Sequence, residues 1–200
     1  MTVRWAGEEA CTLAEGVLGL IEARTLPLWR PWALAVLGWA EAQAGRYPEG
    51  VRHLEDAIRR AETLPFLFGQ SLWVTWLGLA HVLHGRLDAA DREARRALAL
   101  TRERGERGYE AWAQYLGGDV ASRRAPPALD AAETAYRAAL DGAVRLGMRP
   151  LAAHCHAALA RVLAAAGRPE EAATHQGEAS AAYQALGLPP RPDGPPPRRG

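Results

Sequence analysis

The residues able to do chemistry in this chain are few and scattered. His81 and His84 stand three apart in one apolar stretch, a spacing that suits two metal ligands on a helix, but no third or fourth donor stands beside them. They read as one packed ring and one solvated ring. His154-Cys155-His156 puts two imidazoles and a thiol in consecutive positions. Neighbours on a helix point in different directions, so these three cannot converge on one ion. No G-x-S-x-G or G-x-G-x-x-G motif occurs, and no Ser-His-Asp arrangement follows from spacing. All 24 basic residues are Arg. Without a Lys there is no P-loop and no Schiff-base chemistry. Glu8-Glu9 and Glu170-Glu171 read as charges at helix starts, where they favour the macrodipole. Arg59-Arg60, Arg95-Arg96 and Arg123-Arg124 could line a phosphate stripe, but Glu55, Asp56, Asp91 and Glu93 offset the first two pairs, which makes them solvated helix faces. No catalytic residue, bound metal or cofactor is expected. A small helical metal-dependent enzyme is the enzymatic alternative.

Composition narrows the class further. Hydrophobic residues make up 48% of the 200 positions, enough for a substantial core. A formal net charge of +1 gives no electrostatic pull toward nucleic acid or an anionic membrane. Cys11 and Cys155 lie far apart and neither belongs to a C-x-x-C pair, which excludes a disulfide scaffold and a zinc ribbon. Acidic residues near the N-terminus interrupt the apolar run that a signal peptide needs. No stretch has the uninterrupted apolar length of a membrane span. A cytoplasmic location is expected.

The elements that must position these residues recur. The chain has Gly-Arg turns at Gly45-Arg46, Gly85-Arg86 and Gly167-Arg168. Aligned on them, together with Leu129-Asp130 in the third unit, Ala57, Ala97, Ala139 and Ala179 fall at intervals of 40, 42 and 40 residues. Before the turns stand Leu37-Gly38-Trp39-Ala40, Leu77-Gly78-Leu79-Ala80, Leu116-Gly117-Gly118-Asp119 and Leu159-Ala160-Arg161-Val162. Small residues in register at this period are the mark of stacked helix pairs that share one core. The reading is all-α: a right-handed α-solenoid of antiparallel helix pairs with about nine helices. It fills residues 1–186, with a lone helix at about 5–24 and pairs at about 29–63, 68–103, 109–146 and 150–186. Leu64-Pro65 breaks the chain between the first two pairs. The longer inner loop of the third pair, Ser122 to Pro127, accounts for the two extra residues. The Pro/Arg-rich tail, 187–200, is expected to be disordered.

The Leu-Gly-x-Ala of the first helices, the turn Gly and the Ala series of the second helices resemble the tetratricopeptide repeat (TPR) family, although the period exceeds the usual 34. A narrower likeness lies in Leu26-Pro27-Leu28-Trp29-Arg30, Gly38-Trp39-Ala40, Gly45-Arg46-Tyr47-Pro48-Glu49-Gly50 and the run from Gly147 to His156. These look like the C-terminal TPR region of bacterial signalling regulators that combine an adenylate/guanylate cyclase or regulatory domain with an ATPase module. The resemblance implies that the chain is the repeat portion and opens on the second helix of an interrupted repeat. It carries over no cyclase or ATPase activity. Glu41 departs from it, standing where the family prefers an apolar residue, as does Ala160, which replaces a helix Gly.

In TPR arrays the first helices line a concave groove that holds a partner peptide. Projection of the repeats places Trp32, Trp39 and Gln43 there from the first pair, and Leu72, Thr75, Leu79 and Leu83 from the second. Gln114 and Ser122 follow from the third, and His154 and Arg161 from the fourth. The expected function is a non-enzymatic protein–protein interaction module in a bacterial signal-transduction or transcription-regulatory system, with a protein or peptide partner in the groove. The alternatives are a scaffold that self-associates as a homo-oligomer through an exposed end, and a truncated remnant of a larger regulator.

Overall fold

The computed structural model describes residues 2–63 and 69–188, with side chains from Glu8 onward. Among these residues the chain is all-helical, and within each of its two compact units successive helices pack against one another in a solenoid-like manner. The helices are α1 (Thr2–Ala23), α2 (Arg30–Gln43), α3 (Tyr47–Ala61), α4 (Gln70–Leu83), α5 (Leu87–Arg104), α6 (Arg107–Arg123), α7 (Leu129–Arg145), α8 (Arg149–Ala165) and α9 (Pro169–Leu186), with a 3-10 turn over Pro27–Trp29. The expected pairs at about 29–63, 109–146 and 150–186 correspond to α2 with α3, α6 with α7 and α8 with α9, whereas α4 and α5 of the expected pair at about 68–103 fall in separate compact units. The expected break at Leu64-Pro65 and the tail from Pro189 onward lie outside the described residues.

The Gly-Arg turns share one mechanism. Gly45, Gly85 and Gly167 adopt φ of 86°, 70° and 75°, the left-handed region open to glycine. The next residue then donates its N–H five positions back: Arg46 to Glu41 O, Arg86 to His81 O and Arg168 to Leu163 O, at 2.8–2.9 Å. This caps the orphan carbonyls of the finished helix and turns the chain into the next one. Pro48 and Pro169 open α3 and α9, where a missing N–H costs nothing.

Contacts divide the chain into two compact units, Met1–Arg86 and Leu87–Asp193. In the first unit, α1 rests on α2 through Cys11, Ala14, Leu37 and Ala40. Between α2 and α3 the backbones themselves touch. A Cβ on Gly38 would stand 2.7 Å from Gly50 O, and one on Gly50 would stand 2.6 Å from Gly38 O. Beside this contact lies Glu41, buried in α2. His53 Nδ1–H of α3 donates to its Oε2 at 2.6 Å, and the Arg46 guanidinium stands 3.9 Å from its Oε1. The buried acid of α2 is therefore matched by His53 on the next helix.

In the second unit α5 through α9 pack in sequence. Here the close approach falls one residue later than the sequence alignment places it. Gly117 has open space where a Cβ would be, whereas a Cβ on Gly118 would meet the Tyr136 ring of α7 at 2.6 Å. Tyr136 is buried and its hydroxyl donates to Asp119 Oδ1 at 2.6 Å. Ser122 Oγ lies 3.2 Å from both the Tyr136 hydroxyl and the Asp119 carbonyl oxygen. A buried carboxylate that loses a donor bears a desolvation cost of about 1–3 kcal/mol. Tyr136→Phe, which removes the hydroxyl and keeps the ring over Gly118, is expected to lower unfolding stability by about that amount in urea titrations.

Candidate functional site

The exposed face of the first unit is aromatic. On α2, Trp32, Val36, Trp39 and Gln43 recur at intervals of four and three and share one side of the helix. Gln43 and Val36 are exposed and the two Trp are half-buried. On α4, Leu72 and Trp76 are half-buried beside them. Trp39 and Trp76 stack with centroids 6.3 Å apart and planes 15° apart, while Trp32 meets the buried Trp73 edge-on at 5.1 Å. Sequence reasoning found Trp32, Trp39, Gln43 and Leu72. It missed Val36 and Trp76, although both fall on the same helical stripes.

Thr75, Leu79 and Leu83 are not at this surface. All three are buried, and the Thr75 hydroxyl donates to Ser71 O at 2.9 Å. The cause is the composition of α4, which is apolar on every side and is buried on nearly every side. Projection of an exposed face from α2 onto α4 fails for that reason.

In the second unit the four projected residues are divided. Gln114 is half-buried on α6 and Arg161 is exposed on α8. Ser122 is engaged with Tyr136 and Asp119. His154 Nδ1 lies 2.7 Å from the Tyr183 hydroxyl, and its ring sits 5.9 Å from Trp112 and 6.3 Å from Tyr115. Ser122 and His154 thus serve the interior of their unit.

The remaining histidines and cysteines are also absorbed into packing. His81 is buried with Nδ1 2.8 Å from the Tyr47 hydroxyl. His84 is half-buried with its ring 4.2 Å from that of Tyr47 and Nε2 3.4 Å from Ala42 O, so neither ring is the fully solvated one expected of the pair. Burial lowers the pKa of His84. Cys11 and Cys155 are buried free thiols whose pKa burial raises, which keeps them as unreactive thiols. As expected, His154, Cys155 and His156 diverge: His156 turns instead to His175 of α9, with Nδ1 to Nδ1 at 2.8 Å. No group of three or more His, Cys, Asp or Glu among the described residues is placed to hold a metal. Arg59 and Arg60 meet Asp56 and Arg95 meets Asp91 on their own helices, while Arg124, after α6, reaches Asp91 of α5. No described helix is long and apolar enough to cross a membrane.

The His156–His175 pair gives the chain an acid response. Burial first, and the facing imidazole or the Arg137 guanidinium second, hold both pKa values below the usual histidine range, despite nearby Glu178. The unfolded chain therefore binds protons that the folded chain resists, so stability is full above the unfolded histidine pKa of about 6.5 and falls as pH drops through it. Asp56, Glu133 and Glu171, held low, lose their contribution only below the ordinary carboxylate range. The melting temperature is expected to fall between pH 7.5 and 5.5, and His175→Gln is expected to flatten that fall.

No protein-family model matches the chain, and no curated protein matches it in sequence. Among solved structures it is similar in fold to BtubC (BKLC) from P. vanneervenii, with a TM-score of 0.54 and 16% identity over 99% of this chain and 94% of that one.

Proposed function

We propose that the chain is a non-catalytic TPR-like interaction module that holds a partner segment along the exposed aromatic face of α2 and α4. The observation that carries this reading is the row Trp32, Val36, Trp39 and Trp76, ending in the exposed Gln43. Aromatic side chains offer large contact area at low entropic cost and are enriched where binding energy concentrates. A partner helix or extended strand laid across such a row buries apolar area, and Gln43 offers it hydrogen bonds at one end. Among the described residues the histidines and thiols are engaged in packing away from that row. The setting we propose is the regulatory portion of a bacterial signalling or transcription-control protein in the cytoplasm. This rests on the resemblance of the turn and helix motifs. Fold likeness alone does not assign a function.

The test is retention of a partner from native extract. Leu79 and Leu83 are unsuitable targets because Arg there would disrupt the fold. Val36→Arg with Gln43→Arg alters only exposed positions. Loss of the partner with unchanged circular dichroism is the expected result. Retention at wild-type level by the doubly substituted chain would contradict the proposal.

A further inference from the structure

The first unit carries a second apolar surface that the aromatic face does not use. On α1, Cys11, Ala14 and Ile21 face α2, while Leu13, Val17 and Leu20 point outward with exposures of 65%, 49% and 56%. Leu26, Leu28 and Trp29 follow directly in the turn after α1, and Trp29 is 60% exposed. Together these residues expose roughly 600 Å² of surface, at the upper end of what the largest apolar patch of a monomer shows. Among the described residues no side chain packs over them, as their exposures show.

The order of residues along α1 fits its own copy. The outward stripe reads Glu9, Leu13, Gly16-Val17, Leu20 and Arg24. About a point between positions 16 and 17 it is antisymmetric in charge, Leu13 mirrors Leu20, and the small Gly16 faces the larger Val17. Glu9 and Arg24 are exposed, and among the described residues neither makes an ion pair. Gly16 has open space where a Cβ would stand, so a second backbone can approach there.

We infer that two copies of this chain pair through α1 in an antiparallel, two-fold contact. The axis passes between Gly16 and Val17. Leu13 of each copy meets Leu20 of the other, and Val17 lies beside Gly16. Glu9 of each copy meets Arg24 of the other, which closes both ends with an ion pair. Such an interface is isologous and closes on itself, so it gives a dimer rather than a filament. Parallel pairing would set Glu9 against Glu9 and Arg24 against Arg24, and the charges disfavour it. The inference is independent of the proposed groove, because it uses a different face.

Sedimentation velocity on the full chain over a range of concentrations tests it. The wild type is expected to show a dimer that dissociates on dilution. Leu13→Arg with Leu20→Arg is expected to give only monomer, with helicity unchanged by circular dichroism because both positions are exposed. Glu9→Arg alone turns two attractive contacts repulsive and is expected to raise the dissociation constant about tenfold. Glu9→Arg combined with Arg24→Glu is expected to restore it. A chain that stays monomeric up to about 100 µM, well above the micromolar constants of modest interfaces, would overturn the inference and leave the face to a helix of another protein. A dimer that survives both Arg substitutions would place the contact elsewhere. Failure of the charge exchange to restore the dimer would overturn the antiparallel register.

Discussion

Close approach of helix backbones at glycine governs this structure. Where Gly38 and Gly50 meet, α2 and α3 have no room for a methyl group on either side. At that separation the neighbouring side chains interlock in one register only, and Leu54, Ala57 and Ile58 are buried as a result. Gly118 repeats the arrangement with an aromatic partner, because the Tyr136 ring occupies the space that a side chain on α6 would need. The two-residue Gly-Arg turns at Gly45, Gly85 and Gly167 then reverse the chain with one shared backbone geometry.

That close packing leaves little space for unpaired polar groups, and the chain meets the demand by pairing across adjacent helices. Glu41 in α2 has His53 in α3. Asp119 in α6 has Tyr136 in α7. His154 and His156 in α8 have Tyr183 and His175 in α9. In each case a group that reads as chemically capable in the sequence has its polar atoms engaged inside a helix pair. Glu133, Arg137, Arg168 and Glu171 do the same at the surface of α7 and α9.

The helices and their bounds were legible because the glycine turns, the opening prolines and the recurring alanines are local signals with a single geometric meaning. The third pair was misread by one residue, since Gly117 and Gly118 are equal in sequence and only the position of Tyr136 separates them. The polar pairs were hidden because their partners lie on the next helix at no fixed separation: 12 residues for Glu41 and His53, 17 for Asp119 and Tyr136. The projected face coincides on α2 with the side that its apolar residues leave for Trp and Gln. It was read wrongly for Thr75, Leu79 and Leu83, because a helix that is apolar all round gives no sequence sign of which side stays open.

The aromatic stripe on α2 and α4 is the only part of this reading that ties structure to function, and its location can be tested without knowing the partner. A photoreactive residue placed at Gln43, on the stripe, is compared in living cells with one at Arg59, which is exposed on α3. The account predicts a crosslinked partner from position 43 and none from position 59. A partner captured at 59 and absent at 43 would contradict it.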